Sequence, residues 1–489
     1  MSKNIIINST IIDNKVAIVE NNQLSDYFIE LNDDTPIIGN IYFAKIITNI
    51  KSINATFVDI GAGQKAFLKN EPHNTQNTNY GAEGDCIIVQ IIKEPHSNKT
   101  AAVTKNIILS GLYFDITPYN PLIGTHNQVN TEQTRLNRIK KTIIKTLPEG
   151  SGFNIKPGVR NNISNEELWN DWNNLLDIWK AVNRRIEKAK SIDRPMLVHK
   201  ELGLPYRIIR DYCDKSVKKI IVDSESLYDG IKLYLNYVDK NSLPKLEYYR
   251  EPYPVFLQYG IMNEIKNVHS RVIELSNGSN IVFDYTEAMT IIDVNSGKMS
   301  DSTNYQIKLQ SNIAAGKEIA KQLRLRDIGG IIIIDFINMQ ENYQQLYNAL
   351  IDIFKEERVT INFYPITKLG LLQISRERSR KNISETMNDI CSVCNGTGKI
   401  FSQNAILGNI ENWLKNYSKE RNDFKIELVV NPNTAKYLCK GEYSLLTKLR
   451  LKYFLKIDVI QAEDIPINSF KVFSVSKQKE ITDKYKMLN

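Results

Sequence analysis

The segment Ile331-Ile332-Ile333-Ile334-Asp335-Phe336-Ile337 places a carboxylate directly after four β-branched apolar residues. A run of that kind reads as a buried strand with a charge near its end. Upstream, Met289-Thr290-Ile291-Ile292-Asp293-Val294-Asn295 alternates, so Asp293 and Asn295 share one face and Ile292 and Val294 the other. Between them, Leu309, Ile313, Ala320 and Leu323 mark one face of a helix over 304–326, which Gly329-Gly330 stops. Strand, helix and strand predict a βαβ crossover with parallel strands and both aspartates near the carboxyl ends. Two ionised carboxylates there are costly and repel each other. Mg²⁺, which binds through one or two carboxylates and keeps its remaining positions for water and phosphate oxygens, relieves both penalties. Asn295 is then an orienting partner. The alternative is that Asp293 and Asp335 cap helices or pair with Arg324 or Arg326.

Composition bounds the rest. The chain has 489 residues, 42% hydrophobic and 24% charged, which fits an ordinary folded protein of roughly three domains. Its charge, 63 − 55 = +8, permits a polyanionic partner without establishing one. No apolar run approaches the ~20 residues of a membrane span. The start lacks the apolar core and cleavage site of a secretory signal. Five cysteines do not make a disulfide framework, so a cytoplasmic location is expected.

Seven segments follow from pattern and punctuation. Residues 1–36 carry strand-like runs too short to bury a core alone. Residues 37–117 read as an all-β module with Gly61-Ala62-Gly63 as a turn and a polar loop at 71–80. In it Phe57 and Phe67 flank the turn, near Lys45, Lys65 and Lys99. An OB-type barrel that stacks bases on aromatics has this composition, although buried phenylalanines would too. Residues 118–210 are mixed. Their Trp169, Trp172, Leu175, Trp179 and Val182 fall at helical spacing and read as a packed helix face. Residues 211–269 contain a strand and a helix, 270–385 form the βαβ-rich unit, 386–402 a cysteine-bearing connector and 403–489 a small α/β domain. In the connector, Cys391-Ser392-Val393-Cys394 precedes Gly396-Thr397-Gly398. Structural zinc wants four ligands, and no second pair or nearby histidine exists. Zinc shared between two chains, a redox dithiol and two unliganded thiols all remain open. The basic run at 376–381, including Arg376 and Arg378, reads either as a solvated face or as a phosphate contact.

Taken together, these motifs resemble the catalytic half of the RNase E/RNase G family of bacterial endoribonucleases. Asp284-Tyr285-Thr286-Glu287-Ala288 with Ile292-Asp293-Val294-Asn295-Ser296 is similar to the family's first active-site motif. Gln322-Leu323-Arg324-Leu325-Arg326-Asp327-Ile328-Gly329-Gly330 with Ile334-Asp335-Phe336-Ile337 is similar to the second. The cysteine segment resembles its zinc-link, and Gly39-Asn40-Ile41-Tyr42 with 55–61 its RNA-binding barrel. The lack of a long disordered tail makes the chain resemble the RNase G branch.

The resemblance implies an α/β multidomain architecture. Residues 1–36 and 211–269 would form an RNase H-like subdomain with the barrel (37–117) and a sensor-like segment (118–210) inserted. Residues 270–385 would be DNase I-like and catalytic, followed by the zinc-link (386–402) and the small C-terminal domain. It implies a Mg²⁺-dependent endoribonuclease that cuts single-stranded RNA to 5′-phosphate and 3′-hydroxyl ends in ribosomal RNA maturation and mRNA turnover. The alternative is a degenerate member that binds RNA without cutting it. Asp293 and Asp335 would hold Mg²⁺ with Asn295 in support. Phe57, Phe67, Lys99, Arg376 and Arg378 would contact RNA. Cys391 and Cys394 would bind a Zn²⁺ shared between chains, giving a homodimer or homotetramer. Where the family carries an Arg-Thr pair that reads a 5′-monophosphate, this chain has Lys156-Pro157, with Arg160 nearby. Lysine lacks the guanidinium fork and proline has no donor, so end-sensing is expected to be weak.

Overall fold

The computed structural model describes all residues except 1–2, 34–36, 70–80, 96–99, 127–128, 130, 157–158, 162, 214–215, 239–243, 298–303, 340–342, 356, 358, 379, 395, 421–422 and 486–489. The chain divides into two compact units, Met1–Met387 and Asn388–Asn489.

The first unit opens with an antiparallel meander, β1 (Lys3–Ser9), β2 (Asp13–Glu20) and β3 (Gln23–Leu31). Asn21 and Asn22, both at positive φ, make the tight β2–β3 turn that two left-handed residues allow. Next come β4 (Ile41–Ile50), β5 (Ala55–Gly61), β6 (Gln64–Lys69), β7 (Cys86–Lys93) and β8 (Ala101–Thr104). They pair in the order β4-β5-β6-β8-β7, and β7 returns to β4, closing a five-stranded barrel of OB-like form. Inward-facing Ala44, Ile46, Val58, Ile60, Ala66, Leu68, Val89 and Ile91 fill it.

A four-stranded sheet follows: β9 (Leu109–Ser110), β10 (Phe114–Thr117), β11 (Ile123–Thr125), and, after α1 (Gln133–Ile144), β12 (Gly152–Ile155). Helix α2 (Asn165–Ile192) packs on it. Ser164 caps α2 by accepting from the Glu167 N–H. Of the aromatic stripe, Trp172, Leu175 and Val182 are buried, while Trp169 and Trp179 are half-buried. Strand β13 (Met196–His199) then adds to β4. After α3 (Leu204–Tyr212), strand β14 (Val217–Val222) pairs parallel with β1; after α4 (Glu225–Val238), β15 (Lys245–Tyr248) pairs with β14. One sheet, β15-β14-β1-β2-β3, is thus assembled from segments on either side of the barrel in sequence.

Helices α5 (Val255–Gln258) and α6 (Met262–His269) lead to the last sheet of this unit: β16 (Val272–Glu274), β17 (Asn280–Tyr285), β18 (Met289–Asn295), β19 (Gly330–Asp335), β20 (Ile361–Tyr364) and β21 (Leu371–Arg376). The order is β16-β17-β18-β19-β21-β20. Helix α7 (Tyr305–Leu325) joins β18 to β19, and α8 (Gln344–Phe354) packs on α7. Gly316 of α7 permits that contact, because a Cβ there would lie 2.2 Å from Leu350 Cδ2. Phe283, Ile292, Ile332, Ile334, Leu372 and Ile374 are buried on one face, against Leu309, Ile319, Leu323, Leu346 and Leu350. Among the described residues the other face is largely exposed, as at Ile291, Asp293, Asn295, Ile331 and Asp335. Helix α9 (Ile383–Met387) ends the unit.

In the second unit, α10 (Gln403–Glu420), β22 (Lys425–Val430), α11 (Pro432–Cys439), α12 (Leu445–Tyr453), β23 (Lys456–Gln461), β24 (Phe470–Ser474) and β25 (Lys479–Glu480) form a small α/β layer around Trp413, Tyr417, Leu428 and Val472. Among the described residues no helix is long and apolar enough to cross a membrane.

One buried carboxylate fastens α2 to its sheet. Asp171 accepts from the N–H groups of Leu112 (2.8 Å), Tyr113 (2.9 Å) and Phe114 (3.2 Å). Burial nonetheless pushes its carboxyl above the ordinary range. Asp171→Ala leaves three donors unpaired and is expected to cost roughly 3 kcal/mol or more. Asp171→Asn, which keeps one acceptor, should fall between it and wild type in thermal unfolding. Equal melting temperatures for Ala and wild type would refute this role.

Candidate active site and RNA-facing cleft

Strands β18 and β19 run parallel, in a register that sets Asp293 directly opposite Asp335. Alternation puts both carboxylates on the open face, while Ile292, Val294 and Ile334 point into the core. Asn295 lies two residues beyond Asp293 on that face. Its amide donates to Asp293 Oδ2 at 2.9 Å and approaches Asn280 Oδ1 at 3.3 Å. Partial burial, and then the charge of Asp293, push the Asp335 carboxyl above the ordinary range. This is the mutual repulsion a cation would relieve. Neither aspartate pairs with Arg324 or Arg326. Arg324 bonds Glu357 at 2.6 Å and the Ser25 carbonyl at 3.1 Å. Arg326 is buried over the Phe283 ring, bonding Gln322 and the carbonyls of Asn267 and Ser270.

Strand β19 ends at Asp335, and Ile337, expected within it, lies beyond. The fully buried Asn312 of α7 holds that turn: its amide donates to the Ile337 carbonyl at 2.9 Å and its oxygen accepts the Ile337 N–H at 3.0 Å. Sequence reasoning missed this residue. A polar side chain among the apolar positions of α7 was the available signal.

Among the described residues no group of three or more His, Cys, Asp or Glu side chains gathers as a metal cage. Two facing carboxylates with no cationic partner among the described residues fit Mg²⁺, which leaves its other positions to water and substrate. Cys391 and Cys394 supply only half of a structural zinc site. Backbone N–H groups of Cys394 and Val393, with the Cys394 thiol, draw the Cys391 thiol below its usual range and favour the thiolate that binds metal.

A second feature lies on the barrel. Phe57 and Phe67 face each other across β5 and β6, outside the barrel, with ring centroids 5.6 Å apart. Their cross-strand row continues through Ala102 to Lys93. All four line a cleft of about 550 Å³ whose opposite wall includes Asp327, Gly329, Arg378, Arg380 and Lys381. Simple alternation would turn Lys93 inward with Ile91. A bulge between Ile91 and Lys93 reverses it, so the sequence pattern hid this lysine. Lys99 lies outside the described residues. Gly329 and Gly330 let the arginine segment lie against β19: a Cβ on Gly329 would meet Arg378 Cγ at 2.6 Å, and Gly330 has φ 93°.

The two arginines expected to meet RNA differ. Arg378 is exposed and donates to the Gly329 carbonyl at 3.1 Å. Arg376 is buried, held by the Ile328 carbonyl (2.9 Å), Glu357 (3.3 Å) and Asp327 (3.6 Å). The expected RNA contact at Arg376 therefore does not fit its surroundings. It anchors β21 instead, and Arg380 and Lys381 were the overlooked cations of the cleft. In the segment 118–210, Lys156 pairs with Asp211 at 3.2 Å and donates to the Gly111 carbonyl at 2.9 Å. Arg160 is exposed, and Pro157 lies outside the described residues.

Fold and site define a multidomain α/β protein in which an OB-like barrel shares a cleft with the margin of a carboxylate-bearing open sheet. The chain belongs to the Ribonuclease E/G family, whose pattern it matches over residues 109–379. It is 31% identical to Ribonuclease G of Haemophilus influenzae, over 81% of this chain and 84% of that protein. It is 30% identical to Ribonuclease E of the same organism, over 96% of this chain but only 51% of that protein. With Ribonuclease G of Escherichia coli K12 the identity is 29%, over 82% and 85% of the two chains.

The raised Asp335 carboxyl has a consequence for stability. A folded-state pKa above the unfolded value means the native protein binds the proton more tightly, so this group's contribution to stability falls as pH rises through that window. Asp335→Asn should therefore melt no lower than wild type near neutrality and should lose that part of the pH dependence. A clear drop in melting temperature at neutral pH would contradict it.

Proposed function

We propose that the chain is a Mg²⁺-dependent endoribonuclease that cuts single-stranded RNA to 5′-phosphate and 3′-hydroxyl ends, acting in ribosomal RNA maturation and mRNA turnover. The observation that carries this reading is the Asp293–Asp335 register on an uncovered sheet face. When bound there, the metal supplies an activated water and neutralises charge on the phosphoryl oxygens. Asp293 and Asp335 hold it, and Asn295 keeps Asp293 oriented. Phe57 and Phe67 offer faces to unpaired bases, while Lys93, Arg378, Arg380 and Lys381 meet phosphates. The cleft touches Gly329 near the start of β19, and Asp335 ends that strand. At ~3.3 Å per residue the strand spans roughly 17 Å, about five stacked nucleotides. The barrel on this reading grips RNA some nucleotides from the cut.

The sheet β15-β14-β1-β2-β3 serves as the RNase H-like subdomain and the sheet bearing Asp293 and Asp335 as the DNase I-like one. Cys391 and Cys394 form half of a zinc-link that joins two chains through four thiolates, giving a cytoplasmic homodimer or homotetramer. A family member that binds RNA without cutting it is not favoured, since Asp293, Asn295 and Asp335 are all retained in mutual contact or register.

The test is cleavage of an A/U-rich unstructured RNA with and without Mg²⁺. Cutting should require the metal and fall at least ~100-fold in Asp293→Asn and Asp335→Asn alike, with the double variant little worse, because the two act as a unit. Since Lys156 is already paired with Asp211, 5′-monophosphate and 5′-hydroxyl substrates should differ by less than roughly tenfold, or ~1.4 kcal/mol. Substantial Mg²⁺-dependent cutting by both single variants would overturn the assignment.

A further inference from the structure

Helix α1 carries a charge that nothing above uses. Between Glu132 and Glu149 the sequence holds Arg135, Arg138, Lys140, Lys141 and Lys145 and no acid. Arg135 is committed inward, its guanidinium donating to the carbonyls of Arg160, Asn161 and Ile163. Among the described residues Arg138, Lys140, Lys141 and Lys145 have no carboxylate partner. Leu136 and Ile143 bury the side of the helix opposite Arg138, Lys141 and Lys145 in the core shared with α2, and Lys140 lies nearer that buried side.

Alongside this face lies a cavity of about 720 Å³, within the range that holds a nucleotide-sized ligand. Arg135, Arg138 and Thr142 of α1 form one wall, and Leu168 and the half-buried Trp169 of α2 the other. Glu132 also lines it, the one acid among the lining residues. None of these residues lines the cleft at Phe57 and Phe67. A half-exposed indole that lines the same cavity as a guanidinium without a carboxylate partner among the described residues can take a base on the ring and a phosphate on the cation. The cations continue past the cavity. From Arg138 to Lys145 is seven residues, ~10 Å along the axis at 1.5 Å per residue, so the line is longer than one nucleotide needs. That extension favours a strand over a free mononucleotide.

We propose that the cavity between α1 and α2, with the cationic face of α1, is a second binding site for unpaired RNA that anchors substrate away from the cut. The RNA source rests on the function proposed above, but binding here does not require cutting.

The test uses the full chain silenced by Asp293→Asn and a labelled, unstructured ~20-nucleotide RNA. Arg138→Glu with Lys141→Glu should weaken binding about tenfold or more. It should also flatten the dependence of log affinity on log salt by about one to two, as lost phosphate contacts do. Trp169→Leu should weaken binding several-fold and leave that slope unchanged. If charge reversal prevents folding, Arg138→Gln with Lys141→Gln keeps the test, with the slope change expected in full. In the chain with Asp293 intact, the same variants should raise KM and leave kcat unaltered. Unchanged affinity and slope in folded variants overturns the proposal. Quenching of Trp169 by uridine monophosphate, with strand affinity indifferent to α1, overturns it in favour of a mononucleotide site. RNA that is bound through α1 but never cut by the unsilenced chain would sink the nuclease reading and leave this one standing. RNA cut with no dependence on α1 would do the reverse.

Discussion

The pairing of Asp293 with Asp335 across two parallel strands is the constraint around which the sheet that carries them is organised. Partial burial and then the charge of Asp293 raise the Asp335 carboxyl, and among the described residues no lysine or arginine pairs with it. The structure keeps both carboxylates apart from core packing instead. Every second residue of β18 and β19 is buried under α7 and α8, so a one-residue slip would drive the carboxylates into an apolar interior. The isoleucines that make the strands stable are therefore also what fix where the charges point.

Arginines hold the sheet in relation to its neighbours. Glu357 receives Arg324 from the end of α7 and Arg376 from β21, and Arg324 also reaches the Ser25 carbonyl on β3. Asp327 takes Arg376 and Arg380, and Arg380 lies over the Phe28 ring at 4.7 Å. Buried pairs of this kind add little net stability over apolar packing, but removing one partner is strongly unfavourable. They fix geometry: the same lattice that seats β21 also sets the Arg378–Lys381 wall opposite the barrel aromatics.

The strands that carry Asp293 and Asp335 were legible because their signals are local. Alternation around Asp293, the isoleucine run before Asp335 and the helical period between them each survive without knowledge of the fold. The positions of Phe57 and Phe67 were legible for the same reason, since strand pairing follows from the glycine turn between them. What stayed hidden depends on tertiary context. A bulge turned Lys93 outward, against its own alternation. Arg376 looked like a surface cation until the fold enclosed it with Glu357, distant in pattern though close in sequence. Asn312 and Asp171 serve backbone groups of other segments, and although their positions on buried helix faces could flag them, spacing does not tell which backbone groups they meet.

The central claim is that Asp293 and Asp335 together hold one divalent cation. Manganese titration followed by electron paramagnetic resonance tests it without requiring turnover. One Mn²⁺ per chain, competed by Mg²⁺ and lost in Asp335→Asn, is the predicted result. Binding of equal strength and number in Asp335→Asn and wild type would contradict it.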